Sequence, residues 1–266
     1  MKPYLLLFRA WNALFAAVVC LCSFFIAKNN FLFGCEEILL SLGIFFLVAF
    51  ANAHNDITDF EIDKINRPNR PLPSGKISFK QARMAAFASV FAAIILGAVV
   101  GIEFALLFAA TGALCFVYNR FLKGLPLAGN FAVALLTCVA IITPIIKLGL
   151  PQPKLAALSY FAFMLTFARE ITKDIEDMEG DKSLGLKTFP ILLGINPSVA
   201  LVFIFELACL ALLAVFNPLS LTGVAPCLVL SAVFACLKRW GLSQNMLKLA
   251  MAAGLAFFFL NFRNSP

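Results

Sequence analysis

Six of the fourteen acidic residues in this chain are aspartates set out in two copies of one pattern. Asp56, Asp59 and Asp63 lie in NDITDFEID, and Asp174, Asp177 and Asp181 lie in KDIEDMEGD. Both read D-x2-D-x3-D, they stand 118 residues apart, and each follows a long apolar segment. On a continuous helix, positions i, i+3 and i+7 share a narrow arc, so the spacing predicts three carboxylates stacked on one face. Carboxylates so placed repel one another, and each would cost roughly 2.5–3.5 kcal/mol if drawn to the centre of a bilayer. A divalent cation removes that difficulty. Mg²⁺ favours one or two carboxylates together with phosphate oxygens and retained waters, so two such triads can hold more than one Mg²⁺ with a diphosphate bridging them.

The bases around the clusters suit the remaining phosphate charge. Arg67 and Arg70 follow the first cluster, Arg169 and Lys173 precede or flank the second, and Lys123 lies on a short connection between them. Arginine grips phosphate oxygens bidentately, whereas lysine acts as a point charge. Acids, interleaved bases and an apolar surround together point to an amphiphilic diphosphate, that is, a polyprenyl diphosphate. Asn52 and Glu170, one turn ahead of the clusters, continue the aspartate face; Glu61, Glu176 and Glu179 fall off it and are expected to face solvent. His54, the single histidine, is read as a packing or interfacial residue and not as a base. Tyr118, close to Lys123, suits either an interfacial anchor or a polar role in the site. The eight cysteines show no paired C-x-x-C spacing and are read as small packing residues. Thirty phenylalanines could shield a carbocation by cation–π contact, although any given one is more often a lipid-facing or packing residue.

These groups must be positioned by helices in a membrane. Apolar residues make up 62% of the chain and charged residues 13%, against about 25% charged in ordinary soluble domains; the mean hydropathy is +0.95. Nine apolar segments are long enough to span, near residues 11–27, 36–54, 84–101, 103–119, 130–148, 155–173, 198–216, 219–237 and 246–262. The first lacks a small-residue cleavage site leading into a soluble domain and is read as a retained helix. Seventeen of the 21 basic residues fall on one side of this arrangement, leaving Lys28, Lys147, Lys154 and Arg263 opposite. The positive-inside rule then places the N-terminus and both acidic clusters at the cytoplasmic face of the cell membrane and the C-terminus on the other side. The net charge of +7 is thereby explained without a nucleic-acid partner.

The 118-residue shift that superposes the aspartates also carries Asn12, in RAWNALFA, onto Asn130, in LAGNFAVA. Four matched positions at one offset suggest a single polytopic domain, 1–266, made of parallel repeats, roughly 1–119 and 120–237, with a final helix at 246–262. Such a repeat would set the clusters across a shared cavity and make Asn12 and Asn130 candidates for substrate contact. Two longer connections, 55–83 and 174–197, are broken by proline and glycine. Ser78 with Gln81 fits a capping box that starts the next helix.

NDITDFEID followed by NRPNRPLPSG resembles the first signature of the UbiA-type intramembrane prenyltransferase superfamily, and DIEDMEGD with GLKTFP is similar to its second. YNRFLK looks like the Tyr/Lys element between them, so the resemblance covers essentially the whole chain. It implies an all-α bundle of nine transmembrane helices around a central cavity opening near the cytoplasmic face. It also implies Mg²⁺-dependent transfer of a prenyl group from its diphosphate to an acceptor. Asn55, Asp56, Asp59 and Asp63 would serve one metal and phosphate cluster, and Asp174, Asp177 and Asp181 the other. Asp56, Asp59, Asp177 and Lys123 are the residues expected to carry the chemistry, with Asn52 and Tyr118 near the substrate.

Within the superfamily, KDIEDMEGDKSLGLKTFP and LPLAGN look most like the digeranylgeranylglyceryl phosphate synthase branch, although Phe189 stands where that branch commonly has Leu. That branch implies geranylgeranyl diphosphate as donor and geranylgeranylglyceryl phosphate as acceptor. An aromatic acceptor, as in quinone synthesis, is the alternative within the same chemistry. A transporter would be expected to carry ionisable groups near the bilayer midplane on broken helices, whereas here the acids crowd one end of the spans.

Overall fold

The computed structural model describes residues 2–149, 152–183, 185–216 and 218–260, nearly all of them helical. Arg263 and the predicted last residues of the final helix, 261 and 262, lie outside the described residues. Nine helical stretches are long and apolar enough to cross a membrane among the described residues: Ala10–Lys28, Cys35–Thr58, Phe79–Val100, Ile102–Leu122, Ala128–Leu148, Pro153–Glu176, Ile195–Phe216, Pro218–Cys236 and Trp240–Phe259. The chain is thus a multi-pass membrane protein. The third span begins five residues before the predicted start, because the Ser78 capping box works as expected. Ser78 Oγ accepts from the Gln81 amide at 3.3 Å and Gln81 Oε1 accepts from the Ser78 amide at 2.9 Å.

The chain forms two compact units. The first comprises Met1–Phe24, Asn30–Arg120 and Val139–Leu148; the second comprises Phe25–Asn29, Phe121–Cys138 and Gly149–Pro266. In the first, α1 (Lys2–Leu7) and α2 (Ala10–Lys28) precede α3 (Cys35–Thr58), and a short α4 (Phe60–Asn66) leads by a loop to α5 (Phe79–Val100) and α6 (Ile102–Val117). Helix α3 packs against α5 and α6. Leu40, Ile44, Leu47 and Phe50 of α3 are buried, and the buried face of α5 is mostly small: Ala82, Ala86, Ser89, Ala93 and Gly97. Between helices that lipid cannot drive together by the hydrophobic effect, small residues allow the close approach that dispersion contacts need. At Gly97 a Cβ would lie 2.9 Å from the backbone of Phe104.

The second unit is organised on α8 (Pro153–Glu176), whose span is 72% buried, the largest share of the nine. Helix α7 (Ala128–Leu148) precedes it; the short α9 (Met178–Ser183) and α10 (Phe189–Leu193) follow, then α11 (Ile195–Phe216), α12 (Leu221–Cys236) and α13 (Trp240–Leu260). Helices α11 and α13 both pack on α8, with Leu158, Phe161, Leu165 and Ile171 in the core. The cysteines are free, and Cys20, Cys115, Cys138 and Cys209 are buried, as small packing residues should be.

Candidate functional site

Both aspartate clusters sit where a long helix gives way to a short one. In the first unit α3 ends at Thr58, Asp59 is the junction with φ −89° and ψ 7°, and α4 starts at Phe60. In the second, α8 ends at Glu176, Asp177 is the junction with φ −88° and ψ 1°, and α9 starts at Met178. The expectation of three carboxylates on one unbroken helical face is therefore corrected in both places at the middle aspartate. Hydrogen bonds from the amides of Asp59 and Asp63 to Asn55 and Asp59, and from those of Asp177 and Asp181 to Lys173 and Asp177, still carry the chain around each bend.

Two arginines from opposite sequence directions hold the first cluster. Asp56 Oδ1 accepts from Arg9 Nη2 at 2.8 Å and from Arg70 Nη1 at 3.1 Å; Arg70 Nη1 also donates to Asp63 Oδ2 at 2.5 Å. Asp56 and Asp63 are both buried. Asn55 Nδ2 donates to Asp59 Oδ2 at 3.0 Å. The loop 67–77 returns Arg70 to the aspartates because it is pinned at two apolar points, Leu72 and Ile77, both buried. Arg67, preceding Pro68, leaves the α-helical region that proline disfavours in its neighbour (φ −144°, ψ 57°) and lies exposed at the end of α4.

Arg9 entered the sequence reading only as a topological charge, yet its guanidinium spans Asp56 and Asn52. Asn52 in turn donates to the Phe8 carbonyl at 3.0 Å, so this predicted substrate residue fixes the turn that carries Arg9. Arg9 sits at φ 45° between α1 and α2, a strained region for a side chain of its size. One sequence signal was available: a charged residue directly ahead of an apolar span. Asn12, by contrast, is exposed on α2.

His54 is buried between the rings of Phe50 and Phe116, and its Nδ1 lies 2.9 Å from Asn119 Nδ2, in keeping with a packing role. Asn119 belongs to a π-helical turn, Tyr118–Leu122, that continues α6 and carries the half-buried Tyr118.

The second cluster is held differently. Asp174 Oδ2 accepts from the amide of the buried Asn130 at 2.8 Å. Glu170 is buried and pairs with Arg169, and Lys173 Nζ lies 3.8 Å from its other oxygen. Two of the bases assigned to phosphate thus stand against Glu170. Asp177 is exposed, and Asp181 is half-buried. The Asp181 carboxyl is raised above the usual range, first by burial and then by the charge of Asp177, with Lys173 and Lys123 opposing the shift. Lys123 is brought alongside because the Lys187 amide donates to the Gly124 carbonyl at 2.9 Å, while Leu186 closes on Gly124 so tightly that a Cβ there would lie 2.7 Å from it. Glu61 and Glu179 are exposed as expected, but Glu176, though exposed, accepts from Gln244 Nε2 on α13 at 2.5 Å.

Among the described residues, no three His, Cys, Asp or Glu side chains converge into a ready-made metal cage. In the first cluster the reason is visible, since Arg70 stands between Asp56 and Asp63. The donors are nonetheless hard carboxylate oxygens, and the like charges of Asp177 and Asp181, which Lys173 and Lys123 only partly offset, are of the kind a divalent cation would relieve. That donor set fits Mg²⁺.

Residues 11–262 match the model of the UbiA prenyltransferase family. The chain belongs to that family. A digeranylgeranylglyceryl phosphate synthase of Pyrococcus abyssi is 37% identical over 243 residues, covering 87% of this chain and 84% of the relative. A solved structure from work on digeranylgeranylglyceryl phosphate synthase in membranes superposes with a TM-score of 0.80 at 27% identity, covering 98% of both chains. A UbiA homolog from Archaeoglobus fulgidus, bound to GPP and Mg²⁺, shares the fold with a TM-score of 0.70 at 20% identity, covering 98% of this chain and 99% of that one. This UbiA-family chain therefore has the all-α membrane fold that its aspartate signatures implied, and it is a prenyltransferase by family.

Proposed function

We propose that the chain transfers a geranylgeranyl group from its diphosphate to the glycerol hydroxyl of geranylgeranylglyceryl phosphate, forming an ether lipid at the cytoplasmic face of the membrane. The observation that carries this reading is the doubled D-x2-D-x3-D junction with arginine and lysine in contact or alongside, in a chain with relatives that make that product. We assign Asp56, Asp59 and Asp63, with Asp174, Asp177 and Asp181, to Mg²⁺. Asn55, Arg67, Arg70, Lys123, Arg169 and Lys173 are assigned to the diphosphate, joined by Arg9. Bound there, Mg²⁺ supplies charge stabilisation to the departing diphosphate.

The chain's own residues do the rest. Arg9 and Arg70 hold Asp56 in position, and both carry guanidinium donors suited to phosphate oxygens. Lys123 and Lys173 place positive charge near Asp181, where leaving-group charge develops. The apolar spans exclude water, so an allylic carbocation is captured by the acceptor hydroxyl and not by hydrolysis. The C1–O bond to diphosphate breaks, the C1–O bond to glycerol forms, and the hydroxyl proton leaves to a basic oxygen in the site.

An acceptor screen with labelled geranylgeranyl diphosphate and Mg²⁺, read by mass spectrometry, tests the reading. Geranylgeranylglyceryl phosphate is expected to yield the doubly prenylated product. Exclusive prenylation of an aromatic acceptor would overturn the acceptor assignment and leave prenyl transfer intact.

A further inference from the structure

Outside the aspartate clusters, the first unit carries a cavity of about 380 Å³ lined by Phe79, Lys80, Arg83, Met84 and Phe87 at the start of α5. These positions fall on one side of the helix, at i, i+1, i+4, i+5 and i+8. All five are exposed, and none has a place in the proposed transfer reaction. Its two phenylalanines rest on other rings: Phe79 meets Phe60 edge-on at 4.5 Å, and Phe87 lies 6.4 Å from Phe50. The two cations stand at the end of the span, where chain and headgroup regions of a bilayer meet.

The same side of α5 continues as an uninterrupted apolar stripe. Met84, Phe91, Ile95 and Val99 are each 59% exposed or more. From Met84 to Val99 the stripe runs about 22 Å at the rise of an α-helix, a length that matches one leaflet of hydrocarbon and its share of the interface. Two cations at the head of an apolar track of this length complement an ionised headgroup joined to a long chain. They do not match a zwitterion, which brings its own cation, or a peptide helix, which would leave Lys80 and Arg83 unpaired at its edge.

We propose that this groove holds an anionic phospholipid of the surrounding bilayer, with its phosphate between Lys80 and Arg83 and one chain lying along Met84, Phe87, Phe91 and Ile95. Basic groups near a membrane surface attract such lipids, and lysine and arginine reach the phosphate level while their stems cover apolar surface. The occupant is a structural or modulating lipid, distinct from the donor and the acceptor.

Native mass spectrometry of the purified full-length protein, titrated with phosphatidylglycerol or with phosphatidylcholine of the same chains, tests this. The wild type should bind its first phosphatidylglycerol on the order of tenfold more tightly than phosphatidylcholine. Lys80→Gln/Arg83→Gln should erase the preference, while Lys238→Gln/Arg239→Gln, which removes equal charge elsewhere, should keep it. Retention of the preference in the first variant, or equal loss in the second, overturns the site. Full displacement by inorganic phosphate would show a bare anion site and overturn the lipid. So would a doubled protein mass abolished by Lys80→Gln/Arg83→Gln, which would assign the groove to a second copy of the chain.

Discussion

Asp56 and Asp174 occupy corresponding places, each on the last turn of a long helix and each three residues before a junction aspartate, yet their hydrogen-bond partners differ in kind. Asp56 is bonded by two guanidinium groups that are always charged. Asp174 takes its hydrogen bond from a neutral amide, Asn130. Further on, Asp63 meets Arg70, whereas Asp181 meets the like charge of Asp177, opposed by Lys173 and Lys123. Identical carboxylate spacing therefore builds two electrostatic settings. In the first, arginine bonds two of the aspartates directly; in the second, Asp174 bonds to an amide and Asp181 lies in the field of Asp177, Lys173 and Lys123.

The largest test of that difference compares Asp56→Ala with Asp177→Ala. Both should lower Mg²⁺-dependent turnover by on the order of a thousandfold, since each removes an electrostatic element of the reaction. Their stabilities should part. Asp177 is exposed, so its loss should leave thermal unfolding in detergent within about 0.5 kcal/mol of the wild type. Asp56→Ala leaves Arg9 with Asn52 and Arg70 with Asp63 but takes one carboxylate from each, and because the arginines are partly solvated the cost should be about 2 kcal/mol, below that of a fully buried pair. Near-normal turnover in both variants would sink the metal and diphosphate assignment. Equal stability would erase the distinction between the clusters.

A second test omits the diphosphate. If the second cluster is the one short of positive charge, Mg²⁺ alone should raise the unfolding temperature chiefly through it. At ten times its dissociation constant the ion would add about 1.4 kcal/mol. Asp177→Ala should abolish the shift, and Asp59→Ala should retain most of it. The reverse ranking would place the readily exchanged ion in the first cluster.

Much of this was legible in the sequence, for definite reasons. Long apolar runs fix spans, and two copies of a costly acidic pattern announce a ligand. The middle aspartates were read as helical because D-x2-D-x3-D fits a helix, and nothing local to Thr58 or Glu176 breaks one. The bends at Asp59 and Asp177 are tertiary choices. Arg9 was missed because its partner lies 47 residues away and pairing across that distance leaves no periodic trace. Arg70 was placed beside the cluster correctly, but its position between two aspartates depends on Leu72 and Ile77 anchoring the loop.

The asparagines offer a smaller and cleaner comparison. Asn12 and Asn130 correspond at the same 118-residue offset, yet Asn130 is buried on Asp174 while Asn12 is exposed. Asn130→Leu should cost about 1–3 kcal/mol, because it leaves Asp174 without its donor, and should slow turnover accordingly. Asn12→Leu should stay within about 0.5 kcal/mol of the wild type. Equal losses would mean that the two halves work as a functional repeat despite their different pairings.

The finest test is the pH dependence of Asp181. Its carboxyl is raised, so the folded protein holds that proton more readily than the unfolded chain does. The group's contribution to stability is therefore present at low pH and is lost as pH rises through the raised value. Thermal unfolding in detergent with a chelator present, compared with Asp181→Asn across pH, isolates that dependence. Burial is its leading cause and the Asp177 charge its second. In Asp177→Asn the midpoint should consequently move down toward the ordinary carboxylate range without reaching it. An unmoved midpoint would leave burial as the sole cause, and the second cluster would then lack the like-charge crowding that sets it apart from the arginine-paired first.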